Sequence, residues 1–215
     1  MSAPEHPAPV GRRMLDVSGL PTVAFGHRDP LWWGLWMLIA IESTMFALLL
    51  TSYFYLRGNA REWPPTGAAQ APLWLTLSVV IVLLASCVPV WVAFRAALDG
   101  RLRPIQLGML WGTILSAVAL ALRAWELTSI GYNWNSHTYG SIVWSFYFMH
   151  TFHLASGVLE NLVMTALLYK GPVEKKHMVD LRLSSIYWWF VAVSWLVLWA
   201  VVIFDDLLFR NSFVS

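Results

Sequence analysis

The chain has 215 residues, of which 58% are hydrophobic and 12% are charged, and it carries 14 tryptophans, a composition that argues against a soluble domain and favours a helical membrane protein. The net charge is only +2, and Lys and Arg are scattered between apolar runs, which excludes nucleic acid as an expected partner. The single cysteine, Cys87, excludes a disulfide within the chain and a thiolate-rich metal site built by this chain alone.

The chain begins with a polar segment rich in proline and small residues, without the apolar stretch that a signal peptide needs. We therefore expect residues 1–29 to form a flexible arm that is retained. Five apolar segments follow, and a membrane-spanning helix needs roughly 20 such residues. They are residues 31–56, 73–98, 105–127, 139–169 and 185–204. Since no strand-like alternation is present, the prediction is an all-α bundle of five transmembrane helices over residues 30–208, with a short tail at 209–215.

The basic residues predict the orientation of these spans, because Lys and Arg in short loops stay on the cytoplasmic side. A cytoplasmic N-terminus puts most of the 14 basic residues inside and an outside C-terminus follows from the odd number of spans. Tryptophans near the span ends suit the membrane interface, where amphipathic rings are enriched. They are Trp32, Trp33, Trp74, Trp134 and Trp188.

Few ionisable residues lie inside the predicted spans: Glu42, Arg123, Glu126, His150, His153 and Glu160. A charged group at the centre of a span costs roughly 2.5–3.5 kcal/mol when it faces lipid, so these side chains should face the bundle interior or be neutral. Glu42 is expected near the bilayer midplane, as a protonated or hydrogen-bonded carboxyl. Arg123 and Glu126 are spaced i and i+3, which predicts an ion pair that anchors the third span.

The fourth span carries a polar stripe of His150, His153 and Glu160, which share one side of a helix with Gly157. The glycine should let a neighbouring helix or a lipid chain approach closely. Two histidines with carboxylates from other helices could also bind zinc or a di-iron centre. A di-iron bundle normally repeats a Glu-x-x-His unit on two helices, and this chain does not. We therefore expect hydrogen bonds between helices, with neither a metal site nor catalytic residues.

Six short motifs occur in order along the chain. They are Gly34-Leu-Trp-Met-Leu-Ile-Ala-Ile-Glu42-Ser-Thr-Met-Phe46, Trp63-Pro64-Pro65-Thr66-Gly67, Ala124-Trp-Glu126, Tyr139-Gly140-Ser141, His150-Thr-Phe-His153 with Gly157, and Tyr187-Trp188-Trp189-Phe190-Val191. In this order and spacing they make residues 30–208 resemble subunit III of haem-copper cytochrome c oxidases, in a form that lacks the first two of the usual seven helices.

The resemblance implies an accessory subunit of a respiratory, proton-pumping oxidase, without an active site of its own. It implies that haem and copper lie in the partner catalytic subunit, that the chain contacts oxidase subunits I and II, and that phospholipid is bound between its helices. Glu42 then falls on the family's buried carboxyl, which is linked to lipid or proton uptake, and Glu126, His150 and His153 also fall on family positions. The expected location is the inner membrane of a bacterium.

Two departures from the family pattern leave alternatives open. Trp189 and Ala192 stand where the family usually has His and Asp, and Glu160 is a carboxyl that the family does not predict; it could pair with His153 or with a neighbouring subunit. Such changes also fit a subunit III-like protein that accompanies a nitric oxide reductase. A free-standing transporter or metalloenzyme is a third hypothesis, against which stands the lack of paired, interrupted helices.

Overall fold

A computed structural model describes residues 30–171 and 175–210, with side chains for 30–171 and 179–205. The predicted arm at 1–29 and the last five residues of the predicted tail lie outside the described residues. Five helices follow one another along the chain: α1 Pro30–Asn59, α2 Leu73–Leu98, α3 Leu102–Thr128, α4 Thr138–Lys170 and α5 Lys175–Arg210. All five contain a segment long and apolar enough to cross a membrane, which in α5 is Val179–Asp205. The predicted five-helix architecture is confirmed over this part of the chain.

Helices α2 to α5 form a bundle in which α3 packs on α2 and α4, and α5 packs on α2 and α4. Small residues bring α2 and α3 close together. A Cβ added at Gly108 would lie 2.7 Å from the Pro89 carbonyl oxygen, and one added at Gly112 would lie 2.5 Å from a methyl group of Val90. A larger residue at either glycine would therefore force these two helices apart.

The seam between α4 and α5 is filled by Trp188, which is 1% exposed. A Cβ added at Gly157 would lie 2.7 Å from the Trp188 ring, so the close approach at this glycine is made by a protein side chain. The indole Nε1 donates a hydrogen bond to the Ser86 hydroxyl at 2.9 Å. The prediction that Trp188 lies at the membrane interface is therefore wrong, because the space over Gly157 accepts the ring and Ser86 satisfies its N–H.

Helix α1 is attached differently, since among the described helices it packs only on α4 and α5. The helix is apolar on every side, and its buried residues are Glu42, Phe46 and Tyr53. Two of these three side chains carry polar groups. The packing of α1 therefore depends on a few residues along one side of the helix. Two of them, Glu42 and Tyr53, belong to polar sites that join α1 to other helices.

Candidate functional site

The first polar site, the Glu42 cluster, consists of Glu42 on α1, His153 on α4 and Tyr187 on α5. Glu42 is 8% exposed. Its Oε1 accepts a hydrogen bond from the Tyr187 hydroxyl at 3.1 Å and lies 3.5 Å from Nε2 of His153. The ring of Phe46 covers the imidazole, with 5.3 Å between the ring centroids. The cluster thus joins three helices around one carboxyl group.

The hydrogen bonds of His153 determine how the Glu42 cluster holds its charge. Nδ1 lies 2.6 Å from the Met149 carbonyl oxygen, which can only accept, so Nδ1 carries a proton. Nε2 then faces Glu42 either as an acceptor beside a protonated carboxyl or as a donor beside a carboxylate. With a proton between Nε2 and the carboxyl, the pair has no net charge, which lowers its cost inside a membrane.

The second polar site, the Arg123 cluster, consists of Arg123 and Glu126 on α3, Tyr147 and His150 on α4, and Trp195 on α5. Nη1 of Arg123 donates to Oε2 of Glu126 at 2.8 Å, and both side chains are 0% exposed. The Tyr147 hydroxyl donates to Oε1 of the same carboxylate at 3.1 Å. The guanidinium carbon lies over Trp195, 3.6 Å from the ring centroid, which adds a cation–π contact.

His150 belongs to the Arg123 cluster and not to the Glu42 cluster, although His153 is only one turn away. Its Nε2 donates to the Val191 carbonyl oxygen on α5 at 3.0 Å. Its ring packs on Trp195 with 4.7 Å between centroids. The two histidines of the predicted stripe therefore join different helices and serve different clusters.

Glu160, the third member of the predicted stripe, is not brought together with the two histidines. It is exposed on α4 and lies near Ser184 of α5. Its surroundings form a shallow apolar groove lined by Ser156, Leu159, Val163, Met164 and Leu167. The two other departures from the family pattern lie on α5, where Trp189 is 37% exposed and Ala192 is buried.

A third polar site, the Asp205 cluster, ties the end of α1 to the end of α5. The Tyr53 hydroxyl donates to Oδ2 of Asp205 at 2.5 Å, and Nη1 of Arg57 lies 3.0 Å from Oδ1. Tyr53 is fully buried and packs edge to face on Trp63. Sequence reasoning missed this cluster; the signal was a carboxylate directly after the fifth apolar segment.

The Arg123 and Asp205 clusters each pair a guanidinium with a carboxylate, and all three clusters join different helices, so the arrangement can hold helices together. Within the described residues, no group of three or more His, Cys, Asp and Glu side chains is placed to hold a metal ion. The tyrosines and Trp195 that complete the clusters were also missed from the sequence. Aromatic residues are common in membrane helices, and nothing in their spacing distinguished these.

Comparison with known proteins identifies a family and several proteins to which the chain is similar. A family model described as cytochrome c oxidase subunit III matches residues 17–206. The chain is 24% identical over 180 residues to cytochrome c oxidase subunit 3 of Thermostichus vulcanus, covering 83% of this chain and 89% of the relative. It is 26% identical over 188 residues to cytochrome c oxidase subunit 3 of Mus musculus, covering 82% and 72%. For cytochrome c oxidase subunit 3 of Schizophyllum commune it is 27% identical over 175 residues and spans only 65% of that relative.

Proposed function

We propose a function for this chain from one premise: it belongs to the cytochrome c oxidase subunit III family. On this basis the chain is an integral membrane subunit of a respiratory terminal oxidase, in which it works in a complex with other oxidase subunits. The observation that carries the proposal is the family match, which extends over residues 17–206 and so includes all three polar clusters.

In finer terms, we propose that the chain is an accessory subunit that stabilises the catalytic subunit. Haem and copper belong to that partner, and the chain contacts subunits I and II. The contacts of the Glu42 and Arg123 clusters support a role in holding helices, because Glu42 lies against Tyr187 and His153, and Arg123 pairs with Glu126 within the chain. We further propose a bacterial cell membrane as the location, with the N-terminus in the cytoplasm as the basic residues predict.

Phospholipid is the second proposed partner. The groove around Glu160 supports this part of the proposal, since it is apolar, lies on the outer face of α4 and contains a carboxyl that could bond to a lipid amine. Gly157 is no longer a candidate for lipid contact, because Trp188 occupies the space beside it.

A nitric oxide reductase is the alternative complex for the same chain. The observation that favours it is the pair of departures on α5, where Trp189 and Ala192 replace the His and Asp of the family pattern. A change at the buried position 192 alters the contacts that α5 can make with neighbouring helices. Such a change fits a different partner.

Affinity purification of the tagged chain from its native membrane in mild detergent tests these proposals. Mass spectrometry identifies the proteins and lipids that co-purify, and an optical spectrum identifies the haems. A large haem-binding subunit with haem–copper features supports the oxidase, whereas a complex with haems b and c alone indicates the reductase. A colourless chain that purifies alone, under conditions that preserve other membrane complexes, contradicts both.

A further inference from the structure

Three polar atoms of the Arg123 cluster lie inside the bundle without a protein partner. Among the side chains that the structure describes, Nε and Nη2 of Arg123 and Nδ1 of His150 are buried and make no hydrogen bond. Both side chains are 0% exposed, so neither can reach lipid headgroups or bulk water. Buried polar atoms of native proteins nearly always have a partner, because an unpaired one loses its hydration without compensation.

The chemistry of these atoms defines what could bind to them. Nε2 of His150 donates to the Val191 carbonyl, so in the neutral imidazole Nδ1 is an acceptor. Nε and Nη2 of Arg123 are donors only. The missing partner must therefore donate to His150 and accept from Arg123. Water does both, whereas an anion is not needed, since Glu126 already balances the guanidinium charge.

One aromatic ring lies beside both side chains. Arg123 and His150 both pack on Trp195, at 3.6 Å from guanidinium carbon to ring centroid and 4.7 Å between ring centroids. An internal water typically has about three polar partners, and the three atoms provide that number.

We propose that Arg123 and His150 form an internal water-binding site between α3, α4 and α5. The bound water accepts from the guanidinium and donates to Nδ1 of His150. It thereby links α3 to α4, while His150 links α4 to α5 through Val191. This inference concerns atoms of the chain itself and does not depend on which complex the chain serves.

The first test is a density map of the chain in its native complex, at a resolution that shows ordered water. We expect a density peak within hydrogen-bond distance of Nδ1 of His150 and of Nε or Nη2 of Arg123. Well-defined side chains with no density between them would overturn the proposal. So would a protein or lipid group in that position.

Water-edited solid-state NMR of the histidine-labelled complex in lipid bilayers provides the second test. The His150 signal is identified by its loss in His150→Gln. We expect fast polarisation transfer from water to Nδ1 of His150, and severalfold slower transfer in the double variant Arg123→Leu/Glu126→Leu, which removes the donors and keeps the charge balanced. His153 is the reference within the same sample, because its Nδ1 is occupied by Met149. Slow transfer in the unaltered chain, or fast transfer in both forms, would overturn the proposal.

Discussion

The Glu42 and Arg123 clusters both hold ionisable side chains within membrane-spanning helices, but they do so in different ways. The Glu42 cluster lies where α1 meets the bundle, with side-chain exposures of 8% for His153 and 11% for Glu42, and sets a carboxyl against an imidazole at 3.5 Å. The Arg123 cluster lies inside the bundle at 0% exposure and pairs two formal charges. A shared proton can leave the pair uncharged, whereas the charges on Arg123 and Glu126 depend on each other. The first cluster should therefore tolerate a single neutral replacement, and the second should not.

The largest effect is expected for Arg123→Leu, which leaves the Glu126 carboxylate buried without its partner. Breaking a buried ion pair in this way costs about 3–5 kcal/mol, so the variant should assemble poorly and unfold at a lower temperature. Thermal unfolding and yield of the purified complex measure this. The double variant Arg123→Leu/Glu126→Leu should regain most of the loss. If the double variant is as unstable as the single one, the charges are not what makes this cluster sensitive.

A somewhat smaller effect is expected for Glu42→Lys, which puts a cation beside His153 where the carboxyl was. A lysine near the centre of a membrane helix costs roughly 2.5–3.5 kcal/mol, and it cannot accept the hydrogen bond from Tyr187. We expect lower expression and reduced co-purification with partner subunits. Normal amounts of both would show that Glu42 is not buried in the assembled protein.

Gly157→Leu changes the packing on α4, one turn after His153, without changing any charge. The added side chain would meet the Trp188 ring, which a Cβ already approaches to 2.7 Å. Overpacking of this kind costs about 1–3 kcal/mol, so we expect a lower unfolding temperature. Gly34→Leu is the matched control, because nothing lies within 4 Å of a Cβ added there. Equal effects of the two changes would contradict the packing that places Trp188 over Gly157.

The smallest effect is expected for Glu42→Gln. An amide has nearly the shape of a protonated carboxyl, can still accept from Tyr187 and can donate to His153, so the cost should stay below about 1 kcal/mol. Unfolding temperature and subunit content of the complex measure it. A loss comparable to that of Arg123→Leu would mean that Glu42 carries a full negative charge, and the contrast between the clusters would disappear.

The sequence predicted those parts of the structure that depend on neighbours along the chain. The bounds of α2 follow from the apolar run that ends at Asp99 and Gly100. The proximity of Arg123 and Glu126 follows from their spacing on one helix. By contrast, α5 begins at Lys175, ten residues before the predicted span, because hydropathy detects only the part of a helix that lies in hydrocarbon.

Contacts between distant segments could not be predicted in the same way. The partners of Glu42 lie on α4 and α5. Asp205 in the last helix accepts a hydrogen bond from Tyr53 in the first helix. Choosing these partners requires knowing which helices are adjacent and how each is rotated. The prediction for Trp188 was wrong for the same reason. The tendency of tryptophans to lie at the membrane interface does not indicate that the space beside Gly157 accepts the ring.

The attachment of α1 also has a consequence for which substitutions the chain can accept over evolution. A helix that is apolar on every side has no hydrophobic face to set its rotation, so its polar contacts must do so. Glu42 and Tyr53 reach α4 and α5 from one line along α1, and Arg57 continues that line to Asp205. Sequences that share this fold should therefore drift freely among apolar residues over most of α1. Change along that single line should be accompanied by change in its partners on α5.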